Sequence, residues 1–472
     1  SVEDSGGLPK DTKQPESGQW KMGGIGGSDF YSTGKISLNP VVSLKSLSSR
    51  MHKLVLTFFF LLLGLEPGFA QILEDKVYSQ DVLSVRLFPL GNQVSSQLDA
   101  PVVSLHDQRS LVLMFDDLAY DPELYTAKLI HCNADWQKSS LRDNDFSVNF
   151  NQYTIEDYEY SVNTRIPYIH YRFVVPRVTK SGNYILKVYR NRDEGDVILT
   201  KRFMVYEELI TVGAGIVPPS QSEDRRALQQ INTILNYSKV EIMDPTTQIK
   251  VLIRQNQRWD NAKYLSKPTF LNEMAKTIRY EPFDGTSTFR AGNEFRFVDL
   301  RFIRATGVNI SSVTVEDNII LAESTLDTPR PGGAYSQYLD LNGQYLVQTN
   351  DRPGGNPEVE SEYIYSTFYL RADPNRKIKM LGALTGWGRS PEAEMKYDAK
   401  NQVYSTSILL KQGWYDFQYG YSEGAEINTE PLEGSHFETE NEYEVFVYFR
   451  NLGSRYDQLA GYVYLQPNRR RL

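Results

Sequence analysis
The chain has 472 residues, with 51 Lys+Arg against 59 Asp+Glu and a formal net charge of −8. That acidic balance argues against a nucleic-acid partner, because phosphate binding needs a basic face. The single cysteine excludes an internal disulfide, and the 31 tyrosines and 22 phenylalanines favour strands, whose pleated surfaces suit aromatic side chains.

Residues 51–71 read MHKLVLTFFFLLLGLEPGFAQ. A short cationic start, an apolar run from Leu54 to Leu65 and the small residues Gly68 and Ala70 form the layout of a secretory signal peptide cleaved between Ala70 and Gln71. The run is shorter than the ~20 apolar residues that span a bilayer. No cysteine stands at the cleavage point to carry a lipid. Residues 1–50 are expected to be upstream sequence translated in error or an appended segment, with Met51 the natural start.

The mature chain divides into three expected β regions. The first, 71–208, opens on VLSVRLF, where Leu83, Val85 and Leu87 alternate with polar neighbours. RSLVLMFDDL repeats the pattern with Leu111, Leu113 and Phe115, and IPYIHYRFVVP with Ile169, Tyr171, Phe173 and Val175. Between them lies YTAKLIHCNADW, residues 125–136, which sets His131 beside Cys132. In a strand these two point to opposite faces and cannot pair as base and nucleophile. Cys132 therefore reads as a small buried hydrophobe, and Trp136 as closing a core edge. Two strand patterns around RNRDEGD, with Gly195 at the turn, predict a hairpin. Gly182-Asn183-Tyr184 at a strand entrance resembles the tyrosine corner of immunoglobulin-like sandwiches.

The second region, 209–370, begins with a Gly/Pro/Ser-rich linker. ALQQINTILNY is ambiguous between helix and strand; TQIKVLIRQN is a strand; GNEFRFVDLRF is a strand with a slip at Phe295, Phe297 and Leu300; NDRPGGNPEVESEY is a long loop. The third region, 371–472, carries a second G-x-Y at Gly413-Trp414-Tyr415, and NEYEVFVYFRN and LAGYVYLQ are expected to finish it. The fold class is thus all-β, with tandem immunoglobulin-like or early-set β-sandwiches.

Catalytic and cofactor signatures are missing. Histidines follow no H-E-x-x-H spacing, and there is no C-x-x-C, G-x-S-x-G or Walker loop. Carboxylate-rich TIEDYEY and FETENEYE read as solvated strand faces, and no calcium-loop spacing occurs. No catalytic, cofactor-binding or metal residues are assigned. The chain is not expected to be an outer-membrane barrel itself, because NRRRL is a polar ending where barrels close on an aromatic strand.

LIHCNADW, DYEYSVNTRIPYIHYRFVVP, TKSGNYILKVY and RFMVYE resemble the N-terminal domain of the type IX secretion system plug protein family. VLIRQNQRWDNA, FRAGNEFRFVDLR, EGSHFETENEYEVFVYFR and RYDQLAGY are similar to later parts of the same family. The resemblance implies a periplasmic protein, peripheral to the outer membrane, that binds the translocon barrel and blocks its periplasmic mouth, without catalytic residues or cofactors. It assigns no partner-binding residue. MLGALTGWGRS, MKYDAKNQVY and LKQGWYDFQY also resemble the early-set sandwiches of glycogen- and starch-active enzymes. The alternative function is therefore a carbohydrate-binding module, in which Trp387 and Trp414 could form a sugar-stacking pair; the favoured reading of the two rings is that Trp387 sits in a loop and Trp414 packs a core or interface, because aromatic residues serve burial more often than ligands.

The export reading predicts a mature protein that starts at Gln71. Intact-mass measurement of the exported protein checks this; a mature chain retaining residues before Met51 contradicts it.

Overall fold
The structure, a computed structural model, describes residues 73–466 apart from 108, 220–224, 266, 353 and 425. The expected signal peptide 51–70, its cleavage pair Ala70 and Gln71, and the segment 1–50 lie outside the described residues. The rest is almost entirely β, arranged as three sandwiches.

In the first sandwich one sheet runs Lys76–Val77, Val197–Tyr206, Gly182–Arg190, Tyr125–Cys132, Tyr153–Ile155, with Val102–Ser104 parallel to Val197–Tyr206. The facing sheet runs Val82–Pro89, Leu111–Asp117, Ile169–Val174, Asp157–Tyr160. Leu111, Leu113, Phe115, Ile169, Tyr171, Phe173 and Val175 enter the core between them, as their period of two dictates. The hairpin around Gly195 forms as expected. The opening strand departs from simple alternation. Val82 and Leu87 both reach the core although an even number of residues lies between them, which simple alternation would put on opposite faces. A bulge between Leu83 and Arg86, with Ser84 at φ 52°, absorbs the extra residue and leaves Arg86 on the outer face.

The middle sandwich pairs Thr211–Val217, Leu228–Asn236, Thr277–Tyr280 and Phe270–Asn272 in one sheet. The facing sheet runs Lys263–Leu265, Ile249–Gln255, Tyr443–Phe449, Gln458–Leu465. The ambiguous ALQQINTILNY is a strand. The two C-terminal strands correct the expected organisation: they complete the middle sandwich, not the third. Tyr443, Val445, Val447 and Phe449 supply its core beside Val251 and Ile253. Alternation along NEYEVFVYFRN fixes which face is apolar but carries no information about which sheet receives it.

The third sandwich is therefore an insertion in the second. Its sheets are built on Gly413–Glu423, flanked by Arg296–Asp299, Tyr345–Val347 and Ile378–Leu381, and on Ile310–Val315, Ile320–Asp327, Tyr363–Leu370, Val403–Lys411 and Lys396–Asp398. The two ends of the insertion are tied together: Asn441 Nδ2 donates to the Ala291 carbonyl at 2.6 Å and Glu440 N to Glu294 Oε1 at 3.1 Å. Both G-x-Y motifs are tyrosine corners in geometry. Tyr184 Oη donates to the Lys180 carbonyl (2.7 Å) and Tyr415 Oη to the Lys411 carbonyl (2.6 Å), each four residues upstream.

Because Tyr443–Phe449 is a central strand of the middle sandwich, a chain ending at residue 441 should lose that sandwich. Limited proteolysis should then recover a protected first-sandwich fragment and no protected fragment from 211–290. Survival of the middle sandwich in the truncated chain would contradict the insertion topology.

Candidate functional site: the buried seams between the sandwiches
The first and third sandwiches meet across a buried cluster of charges. Asp116 and His170 lie on the outer face of the first sandwich, at partner positions of adjacent strands, and the bulge turns Arg86 to the same side. The third sandwich contributes Lys411, Tyr363 and Glu358. Glu358 sits on the short helix Pro357–Glu360, capped by Asn356 Oδ1 accepting from Glu358 N at 3.1 Å; the long loop expected here thus contains a helical turn.

Asp116 accepts from Lys411 Nζ at 2.6 Å and Tyr363 Oη at 2.7 Å on one oxygen, while the other lies 2.7 Å from His170 Nδ1. Asp116 and Lys411 are both 0% exposed. Arg86 clasps Glu358 through two nitrogens, at 3.1 and 2.5 Å. Lys411 also donates to the Glu358 carbonyl at 2.6 Å and sits over the Tyr168 ring, 4.2 Å from its centroid. Burial alone would push the Asp116 carboxyl up, but Lys411 and His170 outweigh it and hold it at about 2. Glu358 is held low in the same way, Arg86 outweighing its burial. Burial lowers Lys411. Around this cluster Arg165 pairs with Glu362 at 2.7 Å, and Arg352 donates to the Val162 and Asn163 carbonyls at 3.0 Å.

The first and middle sandwiches meet through alternating rings and guanidinium groups. Arg202 lies 4.3 Å from the Trp136 ring centroid and 5.0 Å from Trp259; Arg254 lies 4.4 Å from Trp259 and 5.2 Å from Phe446. Arg254 is held by Glu444 through two contacts of 2.6 and 2.9 Å. Tyr448 Oη donates to Asn183 Oδ1 at 2.9 Å across the same seam. Cys132 packs in this apolar cluster with Leu252, Phe446 and Tyr448. Burial pushes its thiol up to about 12. His131 points the other way, against Tyr184 and Phe146, with Ser139 Oγ and the Ser181 carbonyl on its two nitrogens and a pKa lowered to about 4 by burial. The opposed faces read from the sequence are therefore what the strand provides, and no thiolate–imidazole pair forms.

Of Trp387 and Trp414, weighed as a sugar-stacking pair, Trp414 is buried and Trp387 is half-buried against protein groups. Arg258 of the middle sandwich lies 4.5 Å from the Trp387 ring centroid, and Phe295 meets that ring edge-on at 6.0 Å. Trp414 stacks on Phe297 at 4.2 Å and clusters with Leu98 of the first sandwich. Among the described residues no group of three or more His, Cys, Asp or Glu side chains is placed to hold a metal ion.

Lys411→Met strands a buried Asp116 carboxylate and should cost about 3–5 kcal/mol, the usual loss when one partner of a buried pair is removed. Urea unfolding measures it, and adding Asp116→Asn should recover part of the loss. Because the folded-state pKa of Asp116 lies below its ordinary 3.8, its contribution to stability is complete above that value and is lost as pH falls through about 2. A Lys411→Met stability equal to wild type would contradict the cluster. Cys132→Ala should cost only roughly 1–2 kcal/mol, read in the same unfolding experiment.

A family model described as the Type 9 secretion system plug protein 1st domain matches residues 82–207. No protein of curated function matches the chain. Among solved structures, a hypothetical protein from Parabacteroides merdae ATCC 43184 is 26% identical with a TM-score of 0.78, covering 83% of this chain and 99% of its own. That likeness spans all three sandwiches, and the family match spans the one whose outer face carries Arg86, Asp116 and His170. Residues 82–207 thus match the first domain of the type IX secretion system plug protein family.

Proposed function
We propose that the protein is a non-catalytic periplasmic plug that binds the outer-membrane translocon barrel of the type IX system and closes its periplasmic opening when no cargo is in transit. The observation that carries this reading is the family match over residues 82–207. The seams support it. A plug must resist deformation, and interfaces that bury ion pairs and aromatic rings oppose the domain motion that small polar interfaces permit. Export rests on the signal peptide at 51–70 with cleavage at Ala70–Gln71. The carbohydrate-binding alternative loses its anchor, since the rings of Trp387 and Trp414 pack against protein groups.

Deleting the gene should raise permeability to large antibiotics that the outer membrane excludes, with a smaller effect on cargo secretion. Deleting the translocon barrel as well should abolish the leak. Unchanged permeability in the single deletion, with the barrel present and assembled, would contradict the plug function.

A further inference from the structure
Away from the seams, the middle sandwich ends in a hairpin with an open edge. Strand Phe270–Asn272 pairs with Thr277–Tyr280 on one side and with no other strand among the described residues. Phe270 is 52% exposed, Leu271 37% and Met274, at the tip, 100%. The register puts Phe270, Arg279 and Ile234 in one row across the outer face of the sheet, and Ile234 is 43% exposed. The tip is closed by Lys276 N donating to the Glu273 carbonyl at 3.2 Å, with Lys276 at φ 49°. Large apolar side chains left exposed at the edge and tip of a hairpin, with Arg279 between Phe270 and Ile234, add little to the core and mark an interaction surface.

Charge identifies what meets it. Residues 267–280 carry Lys267, Lys276 and Arg279 against Glu273 alone, in a chain of net charge −8. The next carboxylate, Glu281, lies at the end of the hairpin away from the tip, where its N–H donates to Thr269 Oγ1 at 2.9 Å. Cations flanking protruding apolar side chains are the arrangement that binds an anionic lipid interface: the apolar groups enter the headgroup region and the cations meet phosphates. A three-residue edge is a short template for adding a partner strand.

We infer that the hairpin Phe270–Tyr280 docks on the surface of an anionic phospholipid bilayer, with Met274 and Phe270 entering the interface and Lys267, Lys276 and Arg279 contacting lipid phosphates. This contact does not depend on the plug function, and purified protein tests it without the barrel. The assay is co-sedimentation with vesicles of phosphatidylethanolamine and phosphatidylglycerol at low ionic strength. Wild type should pellet with these vesicles, bind neutral phosphatidylcholine vesicles less, and be released as salt shortens the Debye length below ~10 Å. The variant Phe270→Asp/Met274→Asp should lose at least about tenfold in partitioning, because carboxylates at the interface oppose insertion. Phe150→Asp, at a first-sandwich position that is 80% exposed, should stay within about twofold of wild type. Failure of wild type to bind, or equal binding by wild type and the hairpin variant, overturns the inference. So does a hairpin variant that loses a protein partner while the wild type ignores vesicles.

Discussion
The arrangement of the three sandwiches depends on the desolvated contact between Asp116 and Lys411. Two fully buried ions cost several kcal/mol each in lost hydration, and only close, well-oriented partners offset that cost. A small slip between the first and third sandwiches would leave a carboxylate and an ammonium group in a dry interface without partners. The seam therefore has one low-energy geometry. Much of the surrounding structure holds it: the bulge that turns Arg86 outward, the capped helical turn that presents Glu358, and the Tyr415 corner that clamps the Lys411 carbonyl. A motif recognised as a sandwich signature also positions the lysine that joins two sandwiches.

The aromatic residues extend the same logic. The four described tryptophans all lie at boundaries between sandwiches. Trp136 and Trp259 meet edge to face at 4.8 Å, Trp387 lies under Arg258, and Trp414 lies beside Leu98. Each ring buries a large apolar area and fixes its neighbour's angle. Each sandwich touches both others, so separating any pair disturbs two seams. Stiffness of this kind lets the three sandwiches move as a unit.

Much of the fold was legible locally. Period-two alternation located the core residues of Leu111–Asp117 and Ile169–Val174, the two tyrosine corners were visible as G-x-Y, and strand geometry alone separated His131 from Cys132. TIEDYEY read as a solvated face, and Asp157–Tyr160 is exposed throughout, but FETENEYE, read the same way, is not solvated: Thr439, Asn441 and Glu444 are buried, Glu444 against Arg254. What escaped was non-local. The C-terminal strands look alike whichever sheet accepts them, so their return to the middle sandwich was hidden. The charged cluster draws on residues from 86 to 411, each of which reads as an ordinary surface charge in its own stretch. Only the docked sandwiches remove water from all of them at once. Trp387 and Trp414 drew attention as aromatics in a module-like setting, and the covering groups, Arg258 and Leu98, belong to the other two sandwiches.

Native-state hydrogen exchange tests most directly whether these seams make the three sandwiches one cooperative body. The buried strands Leu111–Asp117, Ile249–Gln255 and Gly413–Glu423 each sit inside a different sandwich. If the seams lock them, their slowest amides open together, with one free energy and one denaturant dependence. Independent opening of the first sandwich, with a lower free energy and a smaller denaturant dependence than the other two, would contradict that account.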